Sequence, residues 1–293
     1  MPYRLGKVNV ADMSTAVAPA DPRRGVSTVL HPLAARVLDV VHVEDLSPLM
    51  RRVVLKGDQV ASLPFLPWAA TDHIKIVLPD ADGHVAVPRI EDGRAHWDDF
   101  TGITRDYTVR TVNTVTNELT LDGVVHAHGP AGRWFLNAAP GARLGVLGPR
   151  GSHLYPPGYG HYILVADETA LPALGRWLDQ PGLRTHLTVI AVASTPDPYP
   201  LPQPGRRSTV DWRPHVLSDP LKRGSLLAHE VTEALRTSPC PHDVFVWAAG
   251  EAGAMRSVRG ALRDAGLPRY AMDVDGYWRI GTANLDHHAE RAD

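Results

Sequence analysis

The chain has 293 residues, with 30 Lys+Arg against 32 Asp+Glu and a formal net charge of -2 at pH 7. That length suggests about two domains with room for a sizeable core, and the near-neutral balance excludes a global field that would gather nucleic acid. Cys240 is the only cysteine, which excludes an intrachain disulfide and a cysteine-rich metal centre.

Residues 1–32 carry Pro19, Pro22 and Pro32 without a hydrophobic period and read as a poorly ordered leader. Short β-rich runs follow at 36–44, 51–56, 73–78, 104–112, 118–125 and 143–147, and 90–99 reads as a polar surface loop. Closely spaced strands without long helices between them predict an antiparallel β-barrel over 33–155. Pro156, Pro157, Gly158 and Gly160 mark a connection. Beyond it, strands at 162–166, 187–193, 209–213, 244–249 and 270–278 alternate with helices at 168–179, 226–236 and 251–265. Near-continuous apolar strands separated by helices predict a parallel sheet in an α/β domain over 160–281. Residues 282–293, with Asp286, His287 and His288, form a charged tail. No apolar run approaches the ~18 residues of a membrane span and no signal-peptide core opens the chain, so a cytoplasmic protein without membrane insertion is expected.

The segment Arg105-Asp-Tyr107-Thr108-Val-Arg110 places the parts of a flavin site on one strand. A guanidinium can clamp a phosphate, a ring can lie along a flat heterocycle, and a hydroxyl can bond a ring nitrogen. Strand alternation sets Arg105 and Tyr107 on one face and Thr108 and Arg110 on the other. An ordinary half-buried strand is the plain alternative. In His126-Ala-His128-Gly129-Pro130-Ala131-Gly132-Arg133-Trp134, a turn feeds a short helix whose first N–H groups suit a pyrophosphate. A simple strand-to-helix turn would carry the same glycine and proline. His126 and His128 share a face, but no third ligand lies nearby in sequence, so no metal site is expected. Gly145-Val-Leu-Gly148-Pro149-Arg150-Gly151-Ser152 closes the first domain, and its glycines do not have dinucleotide-fingerprint spacing.

Asp167-Glu168-Thr169-Ala170-Leu171-Pro172-Ala173 joins the first α/β strand to its helix. Two carboxylates at a helix start satisfy its dipole and repel a pyrophosphate, so this turn is expected to face a redox centre or to order a loop. Plain N-capping by Asp167 or Thr169 is the alternative. Trp247-Ala-Ala-Gly250-Glu251 repeats the strand-turn-helix logic, and Tyr277-Trp278-Arg279-Ile280-Gly281 joins two aromatics to a cation.

In order and type, these motifs resemble those of the siderophore-interacting proteins, flavin-dependent ferric-siderophore reductases in the ferredoxin-reductase-like superfamily. The resemblance covers roughly 33–281. It implies an FAD-binding barrel followed by a nicotinamide-binding α/β domain, with the flavin ring at their interface. By position, it implies Tyr107 against the ring and Thr108 near the reactive ring nitrogen, the two residues expected to be catalytic. Arg105, with the backbone of Gly129, Pro130 and Ala131, would hold the pyrophosphate. His126 matches a family histidine near the flavin. The expected cofactor-binding set further includes Arg110, Trp134, Asp167, Glu168, Thr169, Ala170, Gly250 and Glu251. Ala166 stands where the family usually has glycine, adding a methyl beside the expected nicotinamide path.

The implied reaction takes a hydride from NADPH or NADH into FAD and passes electrons singly to Fe(III) in a siderophore. Lys75, Arg150 and Arg279 flank the expected cleft and are candidates to collect an anionic ferric chelate. Ser194, Thr195, Arg206 and Arg207 lie where an adenosine phosphate would sit and favour NADPH, while some relatives use ferredoxin. A general flavin or quinone reductase and a non-enzymatic siderophore carrier are the rival readings. A monomer is expected.

Overall fold

The computed structural model describes residues 25–98, 100–205 and 208–282. Arg206, Arg207 and the tail residues Asp286, His287 and His288 lie outside them.

The first domain contains β1 (Ser27–Leu30), β2 (Ala35–Asp45), β3 (Met50–Lys56), β4 (His73–Val77), β5 (Arg89–Glu91), β6 (Arg94–His96), β7 (Thr104–Thr108), β8 (Thr111–Asn113), β9 (Glu118–Val124), α1 (Pro130–Asn137), β10 (Arg143–Leu147) and β11 (Gly151–Leu154). Seven of the strands form one antiparallel sheet in the order β7-β4-β10-β2-β3-β9-β8. Alternate residues point inward, and Leu38, Val53, Leu55, Ile74, Ile76, Leu121, Leu144 and Val146 make its core. Phe135 of α1 is buried in the same core, against β9. It fits because position 123 is glycine: a Cβ there would lie 2.6 Å from the Phe135 ring.

Two expectations change here. The single strand expected over 104–112 is two strands at opposite edges of the sheet, because the chain switches partner. Val109 donates its N–H to Asp72 O, and Arg110 donates to Thr120 O on β9. The sheet edges are therefore consecutive in the chain, and this crossing, rather than a full ladder, brings them together. Within the expected leader, Ser27–Leu30 pair antiparallel with β11, Ser27 opposite Leu154 and Leu30 opposite Gly151. The expected loop at 90–99 contains the small β5–β6 hairpin.

The second domain runs β12 (His161–Asp167), α2 (Leu171–Leu178), β13 (His186–Ala193), β14 (Thr209–Val216), α3 (Arg223–Arg236), β15 (Val244–Glu251), α4 (Ala252–Asp264) and β16 (Met272–Trp278). Its sheet is parallel, in the order β14-β13-β12-β15-β16. β12 and β15 are buried throughout because both faces are covered. α3 and α4 cover one face with Leu227, Val231, Met255 and Val258. The other face packs Trp177, Phe245 and Trp247 with Met50, Ala70 and Tyr155 of the first domain, so one apolar core fixes the two domains together. Strand order reverses between β12 and β15. In such sheets, ligands sit outside the carboxyl ends of the strands at that point.

Candidate functional site

A cavity of about 780 Å³ opens where the edge strand β7, β9 and the start of α1 meet the end of β16. That volume is in the range of cofactor sites. Arg105, Tyr107 and Thr108 all line it, so residues from both faces of the strand reach one cavity. Alternation alone separates Tyr107 from Thr108, but an edge strand that ends by changing partner lets a ligand wrap its free side. One face of Tyr107 stacks on Phe135, with centroids 4.7 Å apart and planes at 25°. Burial pushes the Tyr107 hydroxyl well above its usual range, so it stays protonated.

The cavity wall continues through His126, His128 and the turn Gly129 to Gly132. Gly129 precedes α1 at φ 73°, a left-handed conformation that favours glycine, and no side chain caps the helix. Its first N–H groups are left for a ligand. A Cβ on Gly132 would lie 2.4 Å from the His126 ring, so this wall needs glycine to keep its shape. A cation, an aromatic ring, a hydroxyl and an uncapped glycine turn around one large cavity fit a dinucleotide flavin. The second domain contributes Thr169, Asp275, Tyr277 and Trp278.

Behind Thr169, Asp167 is a structural hub at the switch point. Its Oδ1 accepts from Thr169 N at 2.9 Å and Thr169 Oγ1 at 2.6 Å, and its Oδ2 accepts from Glu251 N and Trp278 Nε1, both at 2.8 Å. Burial, then the charge of Glu168, raises its pKa. Gly250 is required beside it, because a Cβ there would lie 2.7 Å from Asp167 Cγ. Glu251 caps α4 through Ala254 N at 2.8 Å. Asp167, Ala170, Gly250 and Glu251 are thus behind the cavity lining; the first, third and fourth hold Trp278 and the start of α4 in place. Ala166 is buried in the interdomain core, where its methyl packs.

Glu168, expected at the cofactor, instead forms a buried pair with Arg223 on α3 through both carboxylate oxygens. Arg110 also turns away from the cavity. It donates to Tyr199 Oη at 3.1 Å and Asp179 Oδ2 at 2.7 Å, while Tyr199 donates to Asp122, already held by Arg52. This chain of polar contacts crosses from β3 and β9 to the end of α2 and the loop at Tyr199, and no motif in the sequence signals it. Arg110→Ala is expected to cost about 1–3 kcal/mol of stability while leaving FAD affinity within about twofold; thermal denaturation and a flavin titration read the two effects. Trp134 packs edge-on against Phe135 and is not in the cavity lining. Lys75 is held by both oxygens of Asp106, at 2.7 and 2.9 Å, so its charge is locally compensated. Arg150 is exposed on the cavity rim, and Arg279 follows Trp278 in a bridge to Thr282.

An antiparallel domain with an uncapped glycine turn, sharing one cavity with a parallel α/β domain, has the architecture of a two-domain flavoprotein. Residues 39–153 match the family model of the siderophore-interacting FAD-binding domain, and 159–281 match that of the siderophore-interacting protein. The chain belongs to the siderophore-interacting protein family. It is 39% identical to a siderophore utilization protein from T. fusca, whose crystal structure it matches with a TM-score of 0.79 over 90% of this chain and 99% of that one. It is 29% identical to the ferric vibriobactin reductase of Vibrio cholerae over 87% of this chain and 93% of that protein. It is likewise 29% identical to the NADPH-dependent ferric-chelate reductase of Escherichia coli, over 85% and 95%. Among the described residues, no helix is long and apolar enough to cross a membrane.

Proposed function

We propose that this chain reduces Fe(III) held by a siderophore, using FAD and a reduced nicotinamide, and so frees the iron. The observation that carries this reading is the single cavity walled by Arg105, Tyr107, Thr108 and Gly129 on one side and by Thr169, Tyr277 and Trp278 on the other. Bound FAD would take two electrons as a hydride and give them up one at a time, which a two-electron donor and a one-electron acceptor require. Arg105 and the turn at Gly129–Ala131 would hold its phosphates, Tyr107 would support the ring, and Thr108 would supply a hydroxyl to it. Reduction weakens the grip of hard oxygen ligands on iron, so the metal leaves without destruction of the chelator.

Arg150 and Arg279 are the cations proposed to receive an anionic chelate. Arg150→Ala is expected to raise the Michaelis constant for such a chelate about 3- to 10-fold, less at high salt. Lys75→Ala should change it less than twofold, since Asp106 already neutralises that lysine. NADPH as donor, ferredoxin as an alternative donor, a monomeric state and a cytoplasmic location belong to the same proposal. Steady-state turnover with a ferric siderophore, free flavin and a quinone tests it: preference for the ferric chelate supports the reading, and preference for the quinone rejects it. Equal rates with NADPH and NADH would remove the argument for an adenosine-phosphate pocket.

A further inference from the structure

Asp72, just before β4, stands out among the cavity-lining residues. It is 2% exposed, and its Oδ1 is buried without a hydrogen-bond partner. Its Oδ2 accepts from Ser152 Oγ at 2.9 Å, and Ser152 Oγ lies 2.8 Å from His31 Nε2. His31 is only partly buried, so a three-residue line runs from the cavity wall to the surface. Arg176 on α2 stays 3.9 Å from Oδ2, and its two terminal nitrogens also donate to Val109 O and Leu66 O. An ion pair therefore does not account for the whole carboxylate. His31 precedes the family match at 39–153 and is placed by the added β1–β11 pairing, with His31 N donating to Arg150 O at 2.9 Å.

We infer that Asp72, Ser152 and His31 form a proton path from the cavity to solvent. The inference rests on the reaction proposed above. A nicotinamide gives up two electrons and one proton as hydride, and two Fe(III) ions take one electron each. One proton is then left in the cavity for every two irons reduced. Asp72 Oδ1 takes that proton. The carboxyl then rotates to bring that proton to Ser152 Oγ, whose own hydrogen turns from Oδ2 to His31 Nε2; the two protons shift together, and the imidazolium releases its Nδ1 proton to water.

Burial raises the Asp72 carboxyl to about 6, against the opposing effects of Arg176 and the Ser152 hydrogen bond. A group poised there can both take and release a proton near neutrality. The other titratable or charged groups lining this cavity are His73, Arg105, Asp106, Asp122, His126, His128, Arg150, His153 and Asp275, with the phenols of Tyr107 and Tyr277.

The test uses the FAD-loaded protein and two kinds of reading. In infrared difference titration, the wild type should show a protonated carboxylic band with a midpoint near 6. Asp72→Asn should abolish this band, and Ser152→Ala should move its midpoint upward by removing a bond to the ionised form. In stopped flow, Asp72→Asn should slow oxidation of the reduced protein by a ferric chelate about 10²-fold. His31→Ala should slow it about tenfold, with rescue by added imidazole. A band that survives Asp72→Asn, or iron-reduction rates in both the Asp72 and His31 variants equal to wild type, overturns the path. Absence of ferric-chelate reduction by the wild type would instead overturn the function proposed above, and the infrared titration would still decide whether Asp72 is the protonating group.

Discussion

Glu168→Ala is expected to destabilise the protein by about 3–5 kcal/mol, the usual cost of leaving one member of a buried ion pair without its partner. Arg223 is 2% exposed and places two nitrogens on the Glu168 carboxylate, while its Nε donates to Leu217 O at 3.0 Å. Without Glu168 the guanidinium stays buried, with one carbonyl as its remaining assigned partner. The pair ties the end of β12 to the first turn of α3, so the loss is expected to spread through the parallel sheet. For a chain of this size it should lower the melting temperature by roughly 10 °C. Chemical denaturation of Glu168→Ala, Arg223→Ala and the paired Glu168→Leu/Arg223→Met variant checks the mechanism. The paired change should recover most of the loss, because replacing both charges by apolar groups removes the desolvation penalty.

Arg105→Ala is expected to weaken FAD binding about 10- to 150-fold, corresponding to loss of roughly 1.5–3 kcal/mol of charge-assisted hydrogen bonding. Arg105 is half-buried on the cavity wall, and one of its nitrogens is held by Thr104 O at 2.6 Å, which steadies the side chain. Arg105→Lys should restore only part of the affinity, since an ammonium keeps the charge but loses the planar fork. Equilibrium titration of flavin-free protein with FAD measures both. If Arg105→Ala bound FAD as tightly as the wild type, the phosphate-holding role proposed for it would fall.

The contrast between Arg105 and Arg110 shows what the sequence could convey about this site. Both occur in one hexapeptide, and period-two alternation made them legible as strand residues. Their separation depends on the chain leaving β4 for β9 after Thr108, a partner switch set by Asp72 O and Thr120 O on distant segments. Gly129 was legible because an uncapped helix start after a glycine carries a local signature. Gly123, by contrast, is explained only by Phe135 packing over it. The parallel sheet is readable from the apolar runs in β12, β13 and β15, whereas β14 alternates more exposed residues and only 209–213 carries a strand signal. The acidic turn is legible as a strand-to-helix junction, yet the fates of its members diverge: Thr169 reaches the cavity, Asp167 organises the turn behind it, and Glu168 pairs with Arg223. Those outcomes depend on residues 55 to 111 positions away. Ser152 ends the glycine-rich segment from Gly145, but Asp72 and His31 belong to no motif, and the alignment of the three arises from the β1–β11 pairing and the approach of β4.

The most direct measurement is an anaerobic optical titration of FAD-loaded protein. Addition of one equivalent of NADPH should bleach the flavin bands, and two equivalents of a ferric siderophore should then restore them with formation of two equivalents of Fe(II). Bands that bleach with NADPH but remain bleached in the presence of the ferric siderophore would contradict the proposed passage of electrons through this cavity to iron.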